Sequence, residues 1–175
     1  GRLTRTSHQA SVTLSPIAFR KASAVAPVIG QPAPEFSLPS TAGKDVTLSS
    51  FRGDSSVLLA FFPLAFTSTC TAELGSFSAD YAQFEALGTR VLPVSVDSIP
   101  SLREFKAKER LSIDLLSDFK RDVCRLYDTL LADKFFSRRA YFLVDQAGTL
   151  RWAHTETELG HRRQDEEIIA EIAKL

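Results

Sequence analysis

An α/β fold, with a mixed central sheet flanked by helices, is what this sequence predicts, and three observations carry that reading. Residues 57–62 (VLLAFF) are apolar without interruption and end at Pro63, the pattern of a strand buried on both faces of a helix-covered sheet. Apolar residues then recur at Leu74, Phe77, Tyr81, Phe84 and Leu87, spacings of three and four that make one face of a helix. Farther on, residues 140–144 (AYFLV) and 149–153 (TLRWA) flank Asp145-Gln146-Ala147-Gly148, a β-hairpin signal.

Taken in order, Gln31-Pro32-Ala33-Pro34 stiffens the chain ahead of Phe36-Ser37-Leu38 and Val46-Thr47-Leu48, which with Gly43 between them predict an opening β-hairpin. Next come the buried strand at 57–62 and the helix beginning near Cys70, which Gly88 stops. A second strand covers 90–96; Pro93 removes a donor from it, so an edge position or a local bulge is expected there. Pro100 suits the first turn of a helix carrying Leu102 and Phe105. Leu115-Leu116-Ser117 reads as a short strand and 118–128 as a helix with Val123, Leu126 and Tyr127 inward. After the hairpin, Asp165-Glu166-Glu167 opens a final helix with Ile168, Ile169, Ile172 and Leu175 on one face. A βαβ core followed by a β-hairpin and a closing helix is the thioredoxin-like order, here with an N-terminal hairpin extension.

The 175 residues, 44% hydrophobic, are enough for one sizeable core. The domain is expected at 28–175. Twenty-one basic residues balance twenty-one acidic ones, which argues against nucleic acid or anionic lipid as a partner. Two cysteines, Cys70 and Cys124, make no disulfide framework, and His8, His154 and His161 have no metal-ligand spacing, so no metal or cofactor is expected. No apolar run reaches the roughly 18 residues of a membrane span. A reducing compartment fits, the cytoplasm first. Residues 1–27 carry Arg2, Arg5, Arg20 and Lys21 with several Ser and Thr and no acid, so they read as a disordered or targeting-like extension; as a transit peptide they would imply an organelle.

The chemistry concentrates in PLAFTSTC, residues 63–70. A cysteine in a first helical turn faces orphan backbone N–H groups and the positive end of the helix dipole, both of which favour a thiolate. Thr67, Ser68 or Thr69 can cap that helix. Pro63, without an N–H, cannot compete for a ligand at the strand end. The edge where strands end and helices begin is where α/β folds place ligands. Thr67 stands where a Cys-x-x-Cys pair would put its first sulfur, so a thiolate meeting a peroxide here would become a sulfenic acid in need of an external reductant. Arg139, set against an apolar strand, needs an anion to offset its burial, whereas Arg138 alternates to the opposite face.

Pro63-x-x-x-Thr67-x-x-Cys70 resembles the PxxxTxxC signature of the peroxiredoxins, and the wider stretch from Phe61 to Thr67 is most similar to the AhpE-like one-cysteine branch, related to the PrxQ type. The resemblance extends from about Val28 to Leu175, with Leu115-Leu116-Ser117-Asp118 and Arg139-Ala140-Tyr141-Phe142-Leu143-Val144-Asp145 among its segments. It implies that Cys70 is the peroxidatic nucleophile, that Pro63 shields it, that Thr67 hydrogen-bonds the peroxide, that Arg139 stabilises thiolate and transition state, and that Glu73 is a supporting acid. Read without the resemblance, Glu73 is a first-turn acid that serves the helix dipole. Cys124 falls within a predicted helix, not five residues after Cys70, where Gly75 stands, or near Lys106, where related enzymes carry a resolving sulfur; it reads as a structural thiol.

The function these readings imply is reduction of hydrogen peroxide, alkyl hydroperoxides or peroxynitrite through a Cys70 sulfenic acid. Thioredoxin, a glutaredoxin-like protein or a low-molecular-weight thiol would regenerate it, and a homodimer is implied. The alternatives are a non-enzymatic cysteine redox sensor and a thiol-disulfide oxidoreductase, the latter disfavoured by Thr67. His154 and His161 are expected on the surface or in loops, and Trp152 in packing.

Overall fold

The computed structural model describes residues 26–175. The extension expected at 1–27 therefore lies almost wholly outside the described residues. The opening hairpin forms as β1 (Ser37–Pro39) and β2 (Asp45–Thr47), antiparallel. The buried run becomes β3 (Ser56–Phe61), followed by α1 (Ser68–Ala79), α2 (Tyr81–Ala86), β4 (Thr89–Ser95), α3 (Ile99–Glu109), β5 (Leu116–Ser117) and α4 (Asp122–Leu126). A small antiparallel pair follows, β6 (Leu130–Leu131) with β7 (Phe136–Ser137). The chain closes with β8 (Ala140–Val144), β9 (Leu150–Thr155) and α5 (Asp165–Ile172).

The central sheet runs β5-β4-β3-β8-β9, with β3–β4 and β4–β5 parallel and β3–β8 and β8–β9 antiparallel. This is the mixed, helix-flanked, thioredoxin-like sheet expected from the sequence. Because side chains alternate along a strand, β3 feeds two cores. Val57, Leu59 and Phe61 pack with Phe36, Leu38, Val123 and Tyr127 on the face of the hairpin and α4. Leu58, Ala60 and Phe62 pack with Leu74, Phe77, Phe84, Leu102, Phe105 and Ile168 on the face of α1, α2, α3 and α5.

Several local expectations give way. The helix foreseen from Cys70 to Gly88 is two helices, parted at Asp80, whose backbone (φ −94°, ψ 8°) leaves the helical region while its carboxylate accepts from the Gln83 side chain at 3.2 Å. The break lets Phe77 and Phe84 meet edge to face at 5.9 Å and leaves Leu87 exposed. Gly88, at φ +66°, ends α2 in the left-handed conformation that glycine adopts freely. Pro93 causes no bulge: β4 is interior in the sheet, but β5 pairs only from Val94 onward, so β4 is edge-like at the proline itself. The 118–128 segment yields only the short α4, because Arg121 sits at φ +64° and Asp118 caps the helix by accepting from Val123 N (3.2 Å) and Cys124 N (2.7 Å). There Val123, Cys124 and Tyr127 face inward and Leu126 faces solvent; Leu175, past the end of α5, is also exposed. His154 is not a loop residue but half-buried on β9, 3.3 Å from Glu156. Trp152 packs, partly buried, against the helix-side core as expected.

Among the described residues no helix is long and apolar enough to cross a membrane.

Candidate active site

β3 delivers the chain to Pro63 at the edge of the sheet. The following loop is pinned by Ala65 N donating to Asp97 Oδ2 (2.9 Å), a carboxylate at the end of β4 that also accepts from Ser95 Oγ (2.6 Å). Phe66 takes φ +66°, and its half-exposed ring lies 5.1 Å from that of Phe105. Thr67 is the N-cap residue of α1 by position, yet its hydroxyl caps nothing: it donates to Leu64 O at 2.7 Å. The side-chain cap foreseen from Thr67, Ser68 or Thr69 is therefore absent among the described residues. The first helical bond runs from Thr71 N to Thr67 O (2.9 Å), so the N–H groups of Ser68, Thr69 and Cys70 have no partner among the described residues.

Cys70, in the first turn of α1, is fully buried and free. Its sulfur lies 3.3 Å from Arg139 Nη2. Arg139, immediately before β8, is itself only 1% exposed. Four of its five N–H donors are engaged: Nη2 also donates to Leu159 O (3.2 Å), Nε to His161 O (3.0 Å) and Nη1 to Glu73 Oε1 (2.9 Å). His161 is exposed, as expected of a loop residue, and meets the site only through its carbonyl. Burial works against the charge on Arg139, but Glu73 and Cys70 outweigh it and hold the guanidinium above its already high ordinary value.

Glu73, one turn after the cysteine, is completely buried. Its second oxygen accepts from the hydroxyl of Tyr141, which in turn accepts from Arg163 N at 3.0 Å. Burial is the strongest influence on Glu73 and pushes it above the ordinary carboxylate range, against the opposing pull of Arg139, Tyr141 and Arg162. Cys70 lines a pocket of about 250 Å³ together with Pro63, Leu64, Thr67, Phe136, Arg139 and Leu159. The arrangement sets a sulfur among a cation, unpaired N–H groups and an apolar rim, which suits a thiolate meeting a small polar oxidant.

Five residues singled out in the sequence, Pro63, Thr67, Cys70, Glu73 and Arg139, thus converge. Cys124 does not: it belongs to the core on the hairpin face of the sheet, Cys70 to the core on the opposite face. Burial first, and then Asp118, raise its thiol far above the ordinary range. Sequence reasoning missed Tyr141, although strand alternation offered the signal, since Arg139 and Tyr141 are two apart and share a face. It also missed Asp97 and the Leu159 and His161 carbonyls, which no local pattern marks.

A free cysteine at a helix start, 3.3 Å from a buried arginine on a thioredoxin-like sheet, is an arrangement suited to thiol-based redox chemistry. The AhpC/TSA family model matches residues 29–153, and the chain belongs to that family; it is a peroxiredoxin, a thiol-dependent peroxidase. It is 38% identical over 133 residues to peroxiredoxin-2 of Cricetulus griseus, covering 70% of this chain and 67% of that protein. It is 30% identical over 159 residues to the chloroplastic 2-Cys peroxiredoxin BAS1 of Hordeum vulgare, covering 85% of this chain and 75% of that one. The reduced 2-Cys peroxiredoxin of Plasmodium vivax superposes with a TM-score of 0.77 at 29% identity, covering 83% of this chain and 80% of that chain.

Proposed function

We propose that Cys70 is the nucleophile through which this peroxiredoxin reduces peroxides. The observation that carries the proposal is the 3.3 Å approach of Arg139 Nη2 to Cys70 Sγ beside the Pro63–Thr67 pocket. The thiolate attacks one peroxide oxygen; the S–O bond forms as the O–O bond breaks. The departing oxygen takes a proton and leaves as water from hydrogen peroxide or as an alcohol from an alkyl hydroperoxide; peroxynitrite gives nitrite. Sulfur is left as a sulfenic acid.

Making a thiol more acidic supplies little by itself: lowering its pKa from about 8.5 to about 6 changes the thiolate fraction near neutral pH by a factor worth only about 2 kcal/mol. The remainder falls to groups that bind the stretched O–O bond better than the intact peroxide. Arg139 and the unpaired helix N–H groups stabilise the charge on the oxygens. Thr67, whose proton is committed to Leu64 O, acts as acceptor for the peroxide O–H. Pro63 walls the pocket and adds no competing donor. Glu73 fixes Arg139.

The cycle is of the one-cysteine type, as in the AhpE-like branch. Its support is the placement of Cys124 on the other face of the sheet, where it has no route to the sulfenic acid without unfolding of the core between. Two external thiols, or one dithiol, then return Cys70 to the thiol with release of water and a disulfide. Thioredoxin, a glutaredoxin-like protein and a low-molecular-weight thiol all supply that chemistry, in the cytoplasm or another reducing compartment. In a homodimer, Phe66, 51% exposed beside Thr67, is an apolar contact the partner copy would cover.

Stopped-flow fluorescence of Trp152 tests the proposal, since its ring lies tilted beside that of Tyr141 (centroids 6.4 Å apart) and Tyr141 bonds Glu73. Peroxide should give a fast signal change and sustained consumption when thiol is supplied, and Cys70→Ser should abolish both. Undiminished consumption by Cys70→Ser would end the proposal.

A further inference from the structure

We infer that Tyr141 is a positioning residue of this site: its hydroxyl holds the Glu73 carboxylate in the orientation that fixes Arg139 against Cys70. The inference rests on the reading of Cys70 as the nucleophile and adds a fourth member to the chain Cys70–Arg139–Glu73.

Tyr141 is fully buried on β8, on the same face as Arg139. A phenol has one proton to give. Arg163 N–H points at the Tyr141 oxygen from 3.0 Å, which occupies that oxygen as an acceptor and leaves the proton for Glu73 Oε2. The two carboxylate oxygens are therefore divided: Oε1 takes the guanidinium at 2.9 Å and Oε2 takes the phenol. The tyrosine ring has little freedom, since Trp152 and His154 flank it with centroids 6.4 Å away. An apolar side chain at 141 would leave Oε2 in the core with no donor, a costly state for a charged oxygen.

The consequence follows from what faces Glu73. Arg139 reaches it from the start of β8, Tyr141 from β8 itself, Arg162 from the loop before α5, and Cys70 lies on its own helix, α1. Burial already favours the protonated acid, and Arg139, Tyr141 and Arg162 oppose it. Removing one hydroxyl shifts that balance further toward the acid, so Glu73 takes up a proton at higher pH than in the wild type and loses the charge that anchors Arg139. The cation then no longer stands where the peroxide oxygens are.

Tyr141→Phe keeps the ring and removes only the oxygen. The quantity to measure is the second-order rate of Cys70 oxidation by hydrogen peroxide divided by the thiolate fraction, the latter from the ultraviolet absorbance of the thiolate, across pH. In the wild type this per-thiolate rate should hold to lower pH than in the variant. In Tyr141→Phe it should fall about tenfold on the acid side and recover as pH rises, the loss of one hydrogen bond to a charged group being of that size. In a Glu73→Gln background, where nothing titrates at that position, adding Tyr141→Phe should produce no pH-dependent loss. A per-thiolate rate equal to wild type at every pH overturns the inference, as does a uniform loss at all pH values or a pH-dependent loss that persists with Glu73→Gln. Failure of peroxide to oxidise wild-type Cys70 is a separate outcome and overturns the nucleophile assignment together with this one.

Discussion

Arg139 and Glu73 meet as an ion pair cut off from solvent, Nη1 to Oε1 at 2.9 Å, with 1% and 0% of their side chains exposed. Such a pair resists the loss of either member more than its net stabilising value suggests, because the survivor is left as an unpaired charge in the core.

Arg139→Ala is therefore expected both to slow oxidation of Cys70 by about 10²–10³-fold and to destabilise the fold by about 3–5 kcal/mol. The paired substitution Arg139→Met with Glu73→Gln should recover most of the stability and none of the rate. Denaturant unfolding and stopped-flow oxidation of the same two proteins separate the effects; a paired variant that regained rapid oxidation would remove Arg139 from the chemistry.

Cys124→Ala should leave peroxide consumption supported by an external thiol close to wild type. The lost sulfur leaves only a small cavity, costing about 1–2 kcal/mol. Mass spectrometry of the wild-type protein after one equivalent of peroxide should show a sulfenic acid at Cys70 and no Cys70–Cys124 disulfide. Finding that disulfide as the main product would replace the one-cysteine cycle with a two-cysteine one.

Asp97→Ala strips Ala65 N of its acceptor at 2.9 Å and frees the loop that precedes α1. A buried N–H left without a partner costs about 1–3 kcal/mol. The expected result is a modest drop in melting temperature with a larger proportional loss in oxidation rate, since the loop sets the pocket wall. A variant equally destabilised but fully active would show that the loop needs no latch.

Asp165, at the start of α5, is pushed up to about 7 by burial first and by neighbouring Asp80, against the hydroxyl of Ser76 and the charge of Arg162. Folding raises this acid above its unfolded value, so the folded state binds the extra proton. Its contribution is complete below about pH 4 and is lost as pH rises through about 7, so this group makes stability fall from mildly acidic to neutral pH. Asp165→Asn should flatten that slope and raise stability at about pH 8 relative to about pH 5, as measured by urea unfolding. An unchanged slope would place the titration elsewhere.

Much of the fold and most of the site could be read from the sequence because their signals are local. The 57–62 run needed only its unbroken hydrophobicity, and Pro63, Thr67 and Cys70 lie within one strand-to-helix turn. Arg139 could be read from the cost of an unmatched cation beside an apolar strand. What escaped depends on contacts between distant segments or on elements too short to carry a period. The β6–β7 pair has two residues per strand. The parting of α1 from α2 at Asp80 serves packing against the sheet and α5, and Ser76 meets Asp165 across 89 positions. Tyr141 looks like any strand aromatic until Glu73, 68 positions earlier, is found beneath its hydroxyl.

The salt bridge that holds the site also gives it a condition for being armed. Glu73 rides on α1 and Arg139 leads into β8, 66 positions apart in the chain, and Cys70 has its cation only while those two segments are docked. A nascent, nicked or partly unfolded copy lacks that docking, so under the proposed mechanism its Cys70 would meet peroxide without the Arg139 cation beside it. Under that mechanism, fast reaction with peroxide would belong to finished molecules alone, and damaged copies would be disarmed without any separate inhibitor.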